Sequence, residues 1–478
     1  MTRPSPPALA LLPGVDRLLA RLEDFFAQTG APRSVAVAAV RRAVEDLRAE
    51  VLASRAAPAD KGQAEEMAAS LARDHAKTLM APRVRRLVNA TGVVVHTNLG
   101  RSPLAPCVCR AVAEIAGSYS NLEFDLATGR RGSRYSLVAD LLCELTGAEA
   151  ALVVNNNAGA VLLALAALAA GREAVVSRGE LVEIGGSFRI PEVMAQSGAV
   201  LREVGATNRT HPRDYENAVN ENTALFLKVH ASNFAVVGFT ASVSLPDLVA
   251  LGKKHGVAVM EDLGSGSLVD FSAYGLSREP TVQDSVAAGA DVITFSGDKM
   301  LGGPQAGIIL GRADMVERIR THPLNRALRV DKMTLTALEH TLRLYRDPER
   351  ALAEIPTLAR ITEPEKSVGA RARRLAGMLN KIAGVSAEVV AVSGRVGGGA
   401  LPLEKIPSRA VALTIPGLSE NEVEAGMRGR DTPVIGRIED GRFLMDLRTV
   451  FDEELALIAG AAKALARQAG DSPETAKS

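Results

Sequence analysis

Ser296-Gly297-Asp298-Lys299-Met300-Leu301-Gly302-Gly303-Pro304-Gln305-Ala306-Gly307 follows directly on the apolar run Val292-Ile293-Thr294-Phe295. A short apolar run that ends in a turn of glycine and proline reads as a buried strand carrying a lysine at its end. The glycines let backbone and ligand approach closely. A lysine amine placed this way suits an imine with an aldehyde cofactor, and pyridoxal phosphate (PLP) is the cofactor that uses lysine so. Read alone, the stretch fits a surface turn that contains a lysine equally well.

Short apolar runs alternate with helical stretches from about residue 86 to 320. They are Ala151–Val154, Ala174–Val176, Val200–Leu201, Ala224–Leu227, Val257–Met260 and Val292–Thr294. The alternation predicts an α/β fold with a mostly parallel central sheet covered on both faces. Ligands of such sheets bind beyond the C-terminal strand ends.

Three further loops leave predicted strand ends. Glu261-Asp262-Leu263-Gly264-Ser265-Gly266 puts Asp262 where a carboxylate can pair with the pyridine nitrogen of PLP. The alternative for Asp262 is a turn or helix-capping aspartate. Asn155-Asn156-Asn157-Ala158-Gly159-Ala160 joins a strand to a helix. Asn157, Ala158 and Gly159 there offer backbone N–H groups to a phosphate, though Asn also caps helices for structural reasons. Lys228-Val229-His230-Ala231-Ser232-Asn233 supplies Ser232 or Asn233 to the cofactor's phenolic oxygen, and a His230 that stacks on the ring or is merely a satisfied polar residue. Ser296, beside the lysine, completes the cofactor-binding set. Phosphate loop, hydrogen-bonding loop, acidic residue and lysine occur in the chain order of fold-type I PLP enzymes.

Composition excludes some classes. The 478 residues carry a net charge of +1, so no global field marks a DNA-binding protein. The apolar stretch Ala158–Ala170 is too short to span a bilayer and reads as a buried helix, so no membrane role is indicated. No secretory signal is evident. Cys107, Cys109 and Cys143 suit a reducing cytoplasm and read as isolated buried thiols. No Cys/His cluster points to a metal.

Helical spacing of Leu18, Leu22, Phe26, Val40, Val44, Leu47 and Val51, broken at Gly30-Ala31-Pro32, predicts a separate helical domain over 1–80, with a linker at 56–62. The α/β domain spans 81–345, a smaller α+β domain 346–466, and a polar, disordered tail 467–478.

Three long segments carry a resemblance: Arg86-Leu87-Val88-Asn89-Ala90-Thr91-Gly92-Val93 through Leu104, Ser177-Arg178-Gly179-Glu180 through Pro191, and Val434-Ile435-Gly436-Arg437 through Arg442. With the Lys299 turn, they make the chain resemble the bacterial selenocysteine synthases, the L-seryl-tRNA(Sec) selenium transferases, from about Leu12 to Val450. Departures are modest: Gly159 where alanine is expected, Ala206 where threonine is expected, and Leu403-Glu404 where the glycine run would continue.

The resemblance implies that Lys299 holds PLP and that Asp262 faces the pyridine nitrogen. It implies that Arg101, Arg326 and Arg329 line a selenophosphate pocket, as suits the fixed, bidentate donors of arginine. It also implies seryl-tRNA(Sec) as substrate, β-elimination to aminoacrylyl-tRNA followed by selenium addition, an N-terminal tRNA-gripping domain, and a homo-oligomer built as a ring of dimers. Without it, Arg326 and Arg329 read as an exposed helix face. The rival reading is a fold-type I PLP lyase acting on a small amino acid or amino-sugar phosphate. A non-enzymatic tRNA-binding factor on the same fold is more distant.

Overall fold

A computed structural model describes residues 9–470, apart from 54, 56, 57, 185–187 and 231–233. The chain forms two compact units, residues 1–86 and 87–478.

Among its described residues the first unit holds the helices Val15–Arg21, Glu23–Thr29, Arg33–Leu52 and Lys61–Met80. Gly30 ends the second helix in the left-handed conformation, φ 66°, and Pro32 caps the third. The break at 30–32 is thus where its glycine and proline place it. Asp60 caps the fourth helix by accepting from Gln63 N at 2.8 Å, so Lys61 and Gly62 are helical rather than linker. The two long helices pack through Ala39, Ala43, Ala68, Ala69 and Ala72, whose small side chains permit close approach, with Leu18, Leu22 and Leu47 filling the seam. Arg17 and Arg21 pair with Glu65 and Glu66 within this unit.

The second unit holds a seven-stranded sheet. Its strands are β1 (Ala150–Val154), β2 (Glu173–Ser177), β3 (Val200–Val204), β4 (Thr223–Val229), β5 (Ala258–Gly264), β6 (Val292–Ser296) and β7 (Gly307–Gly311). They run in the order β1-β7-β6-β5-β4-β2-β3. Every pairing is parallel except the two made by β7. Successive residues of a strand point to opposite faces. Ile308 and Leu310 enter one core with Ile293 and Phe295, while Ile309 enters another with Leu152 and Val154. Both faces are therefore apolar, which is why these strands read as unbroken apolar runs. The helix Asn157–Ala169 lies on one face with seven of its residues buried. β7, which the strand pattern omits, is a three-residue apolar core between glycines; its pairing with β1 and β6 makes it a strand.

The C-terminal part builds a five-stranded sheet in which Val93–Val95 is an edge strand, parallel to Ser386–Gly397. Val88–Asn89 likewise pairs with Val434–Ile435. Two of the segments that carry the resemblance thus lie against each other. Asp446, fully buried, binds Ser408, Arg437 and the Arg448 backbone N–H there. A Cβ on Gly92 would stand 2.2 Å from the Asp446 carboxylate, so this segment needs glycine. The last helix, Leu455–Gly470, takes in residues 467–470, which the sequence assigns to the polar tail; Leu465 anchors it in the core.

Cys107 and Cys143 are half-buried and Cys109 is exposed, against the expectation of buried thiols. Among the described residues, no helix is long and apolar enough to cross a membrane.

Candidate active site

The C-terminal edge of β1, β4, β5 and β6 gathers the chemistry. Register places Asp262 of β5 opposite Thr294 of β6 and Val229 of β4. Thr294 Oγ1 donates to Asp262 Oδ1 at 3.2 Å, and Asn157 Nδ2 donates to the same oxygen at 2.8 Å. Lys299 lies three residues past the end of β6 and is 8% exposed. Burial pulls its amine below the ordinary range, against the Asp262 charge, while Arg101 adds to the lowering. Burial raises the Asp262 carboxyl, opposed first by the Asn157 bond and then by the Lys299 charge. The pair is desolvated, and burial shifts the amine toward its nucleophilic form.

The loop beside it is closed by a row of small residues. Ser296, Gly307 and Val154 stand side by side across β6, β7 and β1. A Cβ on Gly307 would meet the Asn156 carbonyl oxygen at 2.1 Å, and one on Gly297 would meet the Pro304 carbonyl oxygen at 2.6 Å. These glycines let the Asn155–Asn157 turn and the lysine turn share one edge. Ser296 is buried there.

The helix Asn157–Ala169 aims its N-terminus at this edge. Asn156 is its N-cap, and its side chain accepts from Gly159 N at 2.8 Å. That bond occupies Gly159, so the phosphate-binding role read for Gly159 is not open to its N–H. Among the described residues, the Asn157 and Ala158 N–H groups of the first turn have no hydrogen-bond partner and can serve an anion. The Asn157 side chain is turned to Asp262, and its own Oδ1 is buried without a hydrogen-bond partner among the described residues.

His230 follows β4, and its backbone N–H donates to Asp262 O at 3.0 Å. Burial, then the charges of Lys228 and Lys299, lower its imidazole below the usual range. Its Nδ1 is buried without a hydrogen-bond partner among the described residues. Lys228 is bound to the buried Glu180. Ser232 and Asn233 lie outside the described residues.

Arg101 reaches the lysine turn from the segment after Val93–Val95. Its Nη1 donates to Asp298 Oδ2 at 2.7 Å, and Ser102 Oγ donates to the Asp298 and Lys299 carbonyls at 2.8 and 2.9 Å. Arg101 has φ 61°, a left-handed conformation that costs a non-glycine residue energy. Arg326 and Arg329 lie elsewhere on this edge. They line a cavity of about 460 Å³ with Arg131, Arg134, Arg320 and His322. Arg329 forms a bridge with Val154, and Leu328 O accepts from Asn155 N at 3.0 Å, so the cavity adjoins the Asn155–Asn157 turn. Among the described residues, neither arginine bonds to Lys299, Arg101 or Asp298. Among the described residues Arg326 makes no ion pair, and Arg329 pairs only with Glu123, at 3.9 Å.

The residues missed from sequence are Asp298, Thr294, Ser102 and Arg134. Asp298 and Thr294 flank the lysine in the opening stretch, and their charge and strand alternation were the available signal. Nothing local marks Ser102 or Arg134.

The arrangement fits PLP. A desolvated amine, a buried carboxylate held by two donors, a helix N-terminus with open N–H groups, and the buried His230 and Asn157 atoms meet at one strand-end edge.

Comparison with known proteins agrees. The family model described as L-seryl-tRNA selenium transferase matches residues 87–451. A protein named L-seryl-tRNA(Sec) selenium transferase from Geobacter sulfurreducens is 55% identical over 95% of this chain and 98% of its own length. Proteins of the same name from Geobacter metallireducens and Desulfomicrobium baculatum are 57% and 54% identical, over 91% and 95% of this chain and 94% and 98% of their own lengths. The structure of a D-glucosaminate-6-phosphate ammonia-lyase superposes with a TM-score of 0.57 at 23% identity, covering 82% of this chain and all of that one. It shows the shared fold, the fold-type I architecture with its largely parallel sheet. The family match spans the strand-end residues and the segments that pair around Asp446, and the chain belongs to the L-seryl-tRNA selenium transferase family.

Proposed function

We propose that this chain converts seryl-tRNA(Sec) to selenocysteyl-tRNA(Sec) with selenophosphate as the selenium donor, using PLP held on Lys299. The observation that carries the reading is a desolvated lysine joined, through Asp298, to an arginine for an anionic substrate, in a chain of this family.

PLP, when bound, supplies an electron sink for the bond-breaking at the seryl Cα. Asp262 would hold its ring nitrogen, the Asn157 and Ala158 N–H groups its phosphate, and His230 and Ser296 its surroundings. Lys299 Nζ, its proton affinity lowered by burial, takes the Cα proton. The seryl Cβ–O bond breaks and the hydroxyl leaves as water. A selenium–carbon bond forms at Cβ, a proton returns to Cα, and hydrolysis of the selenium–phosphorus bond releases phosphate. Arg101 at the lysine turn, and Arg326 and Arg329 from the adjoining cavity, would supply charge-assisted hydrogen bonds to the selenophosphate anion along its path.

The N-terminal unit would grip the tRNA. With Arg17 and Arg21 committed to glutamates, Arg41, Arg42 and Arg48 are among the exposed arginines there that could make phosphate contacts. A homo-oligomer, a ring of dimers, is supported by apolar side chains left exposed in the second unit, among them Tyr119, Leu126, Val237 and Phe239. The enzyme would act in the cytoplasm. The 81–345 and 346–466 segments would then be a large cofactor domain and a small domain.

The test is to incubate the protein with PLP, seryl-tRNA(Sec) and selenophosphate and to assay selenocysteyl-tRNA(Sec). Product that requires all three supports the reading. No product from protein that carries a borohydride-trapped cofactor on Lys299 would overturn it.

A further inference from the structure

We propose that Glu279 is a positioning residue for Lys299, its buried carboxylate serving as counter-charge whenever Nζ holds a proton. This rests on the reading of Lys299 as the cofactor-bearing, proton-moving amine.

Glu279 is 4% exposed, and both its carboxylate oxygens are buried without a hydrogen-bond partner among the described residues. Ser265, fully buried, has an unpartnered hydroxyl. The Ser265 hydroxyl and the Leu401 backbone N–H approach the carboxylate as weak donors that lower its proton affinity, short of full hydrogen-bond geometry. Leu401 sits at φ 47°, a costly conformation for leucine. A buried carboxylate left in this state is expensive unless a charge answers it.

The fold sets that charge beside it. Ser265 O accepts from Met300 N at 3.1 Å, and Ser267 O accepts from Val282 N at 2.9 Å. The loop after β5 thereby ties the lysine turn to the segment that carries Glu279. Gly266, φ 70°, makes this possible, because a Cβ would stand 2.8 Å from Ser296 O.

The groups that act on Lys299 are Asp262, Arg101, Asp298, Glu279 and His230. Asp262 accepts from Asn157 and Thr294 and would serve the cofactor ring. Asp298 is bonded to Arg101. Glu279 is the carboxylate of the three with both oxygens uncommitted. When Lys299 takes up the Cα proton the pair gains one positive charge, and the Glu279 carboxylate offsets it until the proton is returned. Burial pushes the Glu279 carboxyl up to about 7 and pulls the Lys299 amine down, so their affinities for that proton converge.

The experiment uses the full cofactor-free chain. Lys299 is acylated in brief pulses of acetic anhydride across a pH series, and the modified peptide is quantified by mass spectrometry. In Glu279→Gln the midpoint for Lys299 falls by about one pH unit or more, the effect expected of losing a nearby opposite charge. In Glu279→Asp, which withdraws the charge by one methylene, it falls less. Borohydride trapping of added PLP is run on the same proteins. A trapped adduct with an unmoved midpoint, in whichever variant folds, overturns the role of Glu279 and leaves the lysine reading intact. No trapped adduct in the unaltered chain overturns the lysine reading itself.

Discussion

The guanidinium of Arg101 lies 2.7 Å from the carboxylate of Asp298, the residue immediately before Lys299. An arginine from a segment nearly 200 positions away is thus fastened to the lysine turn, and Ser102 binds two carbonyls of the same turn. The ion pair is shielded, with the Asp298 side chain 10% exposed. It therefore orients a cation rather than decorating a surface.

Asp298→Asn removes the charge that aims Arg101 while keeping the shape. Losing a hydrogen bond between charged groups costs about 1.5–3 kcal/mol, so kcat/KM for selenophosphate is expected to fall by about tenfold to a hundredfold. Borohydride trapping at Lys299 should be unaffected. Steady-state kinetics beside the trapping assay check both.

Asn157→Ala removes the shorter of the two side-chain hydrogen bonds to Asp262 and leaves Thr294 at 3.2 Å. The buried carboxylate then holds the cofactor ring less well. PLP dissociation is expected to rise about tenfold or more, read by titrating the visible absorbance of the bound cofactor.

Glu261 gives the cofactor-free protein a pH dependence. Burial raises its carboxyl from 4.5 to about 7 in the folded chain. Because the folded value is the higher one, its stabilising effect is full below pH 4.5 and is lost as pH rises through about 7. Glu261→Gln should flatten the fall in melting temperature across that window, by on the order of 3 kcal/mol in stability. Glu279, raised to about 7 as well, leaves a residual slope. Calorimetry as a function of pH measures it.

Gly307→Ala forces a methyl group to 2.1 Å from the Asn156 carbonyl. Backbone must move, at a cost of about 1–3 kcal/mol, and the Asn155–Asn157 turn moves with it. A lower melting temperature together with weaker PLP binding is expected. An unchanged affinity would show that the turn does not hold the cofactor.

Much of this was legible along the chain because it is local. Asp262 and Lys299 stand at the ends of apolar runs, and buried parallel strands must be apolar on both faces. β7 escaped because Ile308-Ile309-Leu310 between glycines has no pattern of its own, and only its pairing partners make it a strand. Gly159 misled because an N-cap is a side-chain choice: Asn156 folds back onto its N–H, and three successive asparagines do not say which of them will. Ser102 lies far from the lysine in sequence, and no spacing rule links the two.

The sequence by itself determined the architecture and the kind of chemistry: which runs are strands, which strand ends carry an amine and a carboxylate, and which family the long segments resemble. These follow from side-chain polarity and backbone freedom, which act over a few residues. The tertiary structure alone decided who meets whom. It gave Asp262 its two donors, fastened Arg101 to Asp298, set Arg326 and Arg329 around a separate cavity, and left Glu279 unpaired near Lys299. Desolvation and charge coupling exist only once distant segments exclude water together. Lys299 becomes a reactive amine for that reason.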